Sequence, residues 1–70
     1  MKSIIFRFER WGDIEDLMQN RDLLDMINSG NIKVRTDKTK NEFKVYFNKP
    51  FDFYPIDAVL DLVSVYVQYN

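Results

Sequence analysis

Seventy residues, 46% hydrophobic and 16% aromatic with a net charge of −1, fit one small globular domain spanning 1–70 and not a disordered chain. Cysteine and histidine are both absent, which excludes disulfide scaffolds, Ser-His and Cys-His nucleophiles and most zinc chemistry. A core this small leaves little margin of stability.

At the N-terminus, Ile4, Phe6 and Phe8 alternate with Ile5, Arg7 and Glu9, the period of a strand with one buried face. Trp11-Gly12-Asp13 breaks the pattern. Asp13 is expected to cap a helix whose first turn holds Glu15 and Asp16, with Trp11 packed over its start as a staple. Ile14, Leu17, Met18, Leu24 and Ile27 line one face of that helix, which runs to about Asn28. Leu23 and Met26 point elsewhere, and Asn20-Arg21-Asp22 marks a kink or restart. Ser29-Gly30 stops the helix.

The next segment carries the clearest signal. Ile32 and Val34 alternate with Lys33 and Arg35; Phe43, Val45 and Phe47 alternate with Lys44 and Tyr46. This is an amphipathic β-hairpin. A four-residue loop, Asp37-Lys38-Thr39-Lys40, sets Val34 opposite Phe43, Arg35 opposite Glu42 and Lys33 opposite Lys44. Pro50 ends the hairpin, and residues 51–54 are expected to cross the protein in extended form. Pro55 at a first helical position and Asp57 start a last helix. Asp57, Asp61, Ser64 and Gln68 form its narrow polar stripe.

The resulting architecture is α+β: a three-stranded antiparallel sheet with two helices on one face, in the order β-α-β-β-α. Leu17, Leu24, Ile56, Leu60 and Val63 are expected to cover Ile4, Phe6, Phe8, Val34, Phe43, Val45 and Phe47. The Val- and Tyr-rich segment 62–69 also admits a strand, and that alternative is a ferredoxin-like β-α-β-β-α-β order.

Catalytic groups are sparse. Asp57 and Asp61 stand four apart on one helical face, the spacing of an acid–base dyad or a magnesium ligand pair, but they read as the solvated stripe of an amphipathic helix. Gly12 and Gly30 are the only glycines, each beside a helix end, so no glycine-rich phosphate loop exists. The sequence reads as non-catalytic, with no cofactor, no metal and no small-molecule substrate.

Charge is segregated instead. Residues 31–50 hold six basic and two acidic side chains, whereas residues 51–70 hold three aspartates and no base. Lys33, Arg35, Lys44 and Tyr46 project together from the hairpin's outer face, and Lys38 and Lys40 extend the charge into the loop. These residues are the expected partner-binding set. Ala58, Leu62, Val65 and Tyr69 form an apolar flank of the last helix, a candidate interface for a partner or a second copy.

Phe, Tyr, Met, Ile, Asn and Lys, whose codons are AT-rich, supply 31 residues, and alanine occurs once. In composition alone the chain resembles small phage and mobile-element proteins. The reading that follows is a protein-binding module, an inhibitor or adaptor that docks on a host enzyme as anti-CRISPR proteins do. The alternatives are a small nucleic-acid-binding regulator that uses the basic hairpin and a structural homo-oligomer. No membrane segment is expected, and the expected location is the cytoplasm, that of the host cell if a phage encodes the chain.

Overall fold

The computed structural model describes residues 2–48 and 53–67. Six elements follow in order: β1 (Lys2–Arg7), α1 (Trp11–Leu17), α2 (Arg21–Asn28), β2 (Ile32–Asp37), β3 (Glu42–Phe47) and α3 (Phe53–Val63). The fold is α+β, with an antiparallel three-stranded sheet in the order β1-β3-β2. β3 pairs with both neighbours, so Ile4, Val45 and Val34 stand abreast, as do Phe6, Phe43 and Thr36.

Directly opposed residues point the same way, and the pleat therefore sorts the sheet into two faces. One face presents Phe6, Ile32, Phe43, Val45 and Phe47 to the core, where they meet Ile14, Leu17, Leu23, Met26, Val59 and Val63. Phe43 lies between Phe6 and Phe8, with ring centroids 6.4 and 6.1 Å away. Ile4, Val34, Ile56 and Leu60 are partly buried at the margin of this cluster.

Between Trp11 and Asn28 the single expected helix is two. The residue that divides them is Asn20, whose Oδ1 accepts hydrogen bonds from the backbone N–H groups of Asp22 and Leu23 at 2.9 and 3.2 Å. That bonding makes Asn20 an N-cap and restarts the helix. The restart re-phases the apolar stripe. Leu23 and Met26 are buried, whereas Leu24, expected in the core, is 39% exposed. α1 begins at Trp11 behind Arg10, which offers no side-chain cap, and Asp13 lies inside the first turn. Trp11 is half-buried against the core. α2 ends in a Schellman arrangement: Asn31 N–H bonds to the Met26 carbonyl and Gly30 N–H to that of Ile27. Gly30 takes a φ of 81°, a conformation glycine adopts without penalty.

The hairpin forms with a register two residues from expectation. Lys38–Asn41 make the turn, and Val34 faces Val45, Arg35 faces Lys44 and Lys33 faces Tyr46. Two local groups fix this loop. Asp37 Oδ1 accepts from both N–H and Oγ1–H of Thr39, at 3.0 and 2.6 Å, and Asn41 closes the turn with a φ of 52°. Asparagine tolerates that left-handed conformation better than most residues. Because the shift is even, the apolar side chains keep the expected face.

α3 starts at Phe53, so residues 53 and 54 are helical, not extended, and Pro55 falls in the first turn, where no N–H is needed. Residues 62 and 63 complete the helix and Ser64–Tyr66 form a turn. The ferredoxin-like alternative is absent over 62–67; residues 68–70, including Gln68 and Tyr69, lie outside the described residues. No helix among the described residues is long and apolar enough to cross a membrane.

Candidate functional site

All three helices pack on the apolar side of the sheet, and the opposite face carries three rows of side chains across β1, β3 and β2. The rows are Ser3-Tyr46-Lys33, Ile5-Lys44-Arg35 and Arg7-Glu42-Asp37. Lys33 and Arg35 are exposed, as are Lys38 and Lys40 in the turn, and Lys44 and Tyr46 are half-buried. The structure thus brings Lys33, Arg35, Lys44 and Tyr46 together in two adjacent rows, with strands about 4.8 Å apart.

Arg35 and Lys44 are a like-charged cross-strand pair, an arrangement that costs tenths of a kcal/mol up to about 1 kcal/mol. Part of that cost is offset where the Lys44 ammonium lies 4.9 Å from the centre of the Tyr46 ring. The acidic groups of the third row are already engaged. Glu42 pairs with Arg7 at 3.2 Å, and Asp37 holds the turn. The hydrogen bond from Thr39 is the main cause that keeps Asp37 below its ordinary carboxylate value. The field of the first two rows is therefore left positive.

Around the outer edge of β2, which no described strand pairs, Lys33, Arg35 and Tyr46 share an open depression of about 590 Å³ with Val34 and with Ile27 of α2. Ile27 belongs to the helical stripe in the sequence, and nothing in the sequence alone brings it beside the basic residues. The re-phasing at Asn20 does so.

The second expected surface is divided. Ala58 and Leu62 are half-buried against the core and form, with Met26, the apolar floor of a groove between α2 and α3. Asp22, Asp25 and Asp61 line the same groove, whose volume is about 470 Å³. Val65 is 78% exposed beyond the end of α3, and Tyr69 lies outside the described residues. Asp57 is exposed. Among the described residues, no group of three acidic, cysteine or histidine side chains is placed to hold a metal ion, and no polar or charged residue is buried.

Compared with known proteins, the chain matches no protein-family model, no curated protein and no solved structure.

Proposed function

We propose that this protein is a non-catalytic binding module that docks an acidic protein surface on the open basic face of its sheet. It would act as a small inhibitor or adaptor by covering a site on its target, in the way a phage or mobile-element protein covers a host enzyme. The observation that carries this reading is the juxtaposition of Lys33, Arg35, Lys44 and Tyr46 on a face that no described helix covers, beside the apolar side chains of Ile27 and Val34. Cations steer an acidic partner into register, and the adjoining apolar surface supplies burial.

A protein partner fits this face better than nucleic acid. Single-strand binding uses aromatic rings as stacking platforms, and the one aromatic of the basic rows, Tyr46, already holds the Lys44 ammonium. The absence of histidine and cysteine and the lack of any fully buried carboxylate among the described residues support a role in contact and not in turnover.

Affinity capture from lysate with the wild-type chain and with a Lys33→Glu, Arg35→Glu, Lys44→Glu variant tests the reading. A specific protein held by the wild type should be lost with the variant, while circular dichroism shows both chains folded. Equal capture by both removes the basic face from the function.

A further inference from the structure

We infer that the partner enters as an extended segment that adds a fourth strand to the edge of β2, with acidic and apolar residues in alternation. The inference rests on the basic-face reading and names the chemistry that face selects.

The backbone pairing sets the edge. Asn48 N–H bonds to the carbonyl of Asn31 at 3.3 Å, and these two residues stand directly opposite in the β2–β3 register. In an antiparallel ladder closely bonded pairs alternate with non-bonded ones. Residues 33, 35 and 37 therefore turn their backbone groups toward β3, and Ile32, Val34 and Thr36 turn theirs outward. The sheet order leaves β2 at one edge, and no described strand takes up those groups.

The side chains on either side of this edge then dictate the partner's pattern. A partner residue opposite Val34 points to the helix side, toward Ile27 and Val34, and an apolar side chain fits there. Its neighbours opposite Lys33 and Arg35 point to the outer face, where carboxylates find cross-strand cations. The depression that Ile27, Lys33, Val34, Arg35 and Tyr46 share covers both sides of the edge at once, as strand addition requires. β2 is a poor template for a second copy, because its own Lys33 and Arg35 would oppose each other across the junction.

The test uses a labelled seven-residue peptide alternating glutamate and valine, and a control with the same residues in two blocks. By fluorescence anisotropy the alternating peptide should bind, and the block peptide about tenfold more weakly. Hydrogen exchange at the amides of Val34 and Thr36 should slow in the complex. Thr36→Pro removes one outward N–H and no bond to β3, a change an edge strand accepts. It should weaken the alternating peptide about tenfold while circular dichroism is unchanged. Equal binding of both peptides, unchanged exchange at Val34 and Thr36, or binding of a short oligonucleotide in place of the peptide would overturn strand addition. If Thr36→Pro binds as wild type but Lys33→Glu with Arg35→Glu does not, strand addition alone fails and the basic-face reading stands. If neither variant changes peptide binding, both fail.

Discussion

Asn41 does more than turn the hairpin. Its carbonyl accepts the Phe8 N–H at 2.8 Å, and its Nδ2 donates to the Glu9 carbonyl at 3.2 Å. One side chain thus fastens the exit of β1 to the β2–β3 turn, from a backbone conformation with a φ of 52°. Asn41→Ala loses the side-chain bond and strains the backbone, and should lower stability by about 2 kcal/mol. Asn41→Gly loses only the bond and should cost about half as much. Urea melts of the two variants compare the terms, and equal losses would mean the left-handed turn carries no weight. Tyr66 makes a comparable tie: its hydroxyl donates to Asp16 at 2.6 Å, joining the end of α3 to α1. That bond is the main cause that holds the Tyr66 pKa above 10.0. A raised value favours the protonated phenol in the folded state, so the contribution is present in full below about pH 10 and fades as pH rises through the raised value. Tyr66→Phe should cost about 0.5 kcal/mol at neutral pH, because the pair is exposed. The difference from wild type should vanish in strong base; a constant difference across that range would count against the bond.

The helices are too short to persist alone, so their ends and their phases matter more than their propensities. Asn20→Ala removes the acceptor for two N–H groups and should destabilise by about 1 kcal/mol. The loss should appear in a chemical melt and be restored by Asn20→Asp. The same residue marks the limit of what the sequence revealed. Its neighbourhood was recognisable as a kink or restart, but the rotation that follows a restart cannot be read from apolar spacing. For that reason Leu24 was expected inside, where Leu23 and Met26 in fact lie. The hairpin is the opposite case. Alternation from Ile32 to Phe47 determined both faces, so every cation expected to project outward does so. The pairing within those faces was left to the turn, where Asp37 and Asn41 compete with the charges for control of the loop. The expected Arg35–Glu42 pair accordingly gave way to Arg35 against Lys44. At the site, the basic rows were legible because strand period alone builds them. The depression was not, because it needs Ile27 from a helix whose phase was unknown.

Across the whole molecule, stability rests on one apolar layer with Phe43 at its middle. Phe43 is fully buried and flanked by Phe6 and Phe8. Phe43→Ala should cost about 3–5 kcal/mol, a large share of what a domain of this length can hold in reserve. The cooperative thermal transition seen by circular dichroism should disappear, and a variant that still melts sharply would show that the layer tolerates the cavity. The surfaces outside that layer carry opposite charges: cations on the open side of the sheet, aspartates along the groove between α2 and α3. A near-neutral total therefore hides a strongly polarised body.

The position of β3 between its two neighbours also sets an order of events. During synthesis the first strand leaves the ribosome before residues 42–47 do, and the second has no other described strand to join. Neither ladder can begin until the third is available, so more than half of the nascent chain must travel with its phenylalanines and isoleucines unsheltered. For this small protein, the interval between the emergence of Ile4 and that of Val45 is the period of greatest exposure to holdase chaperones and to misassociation.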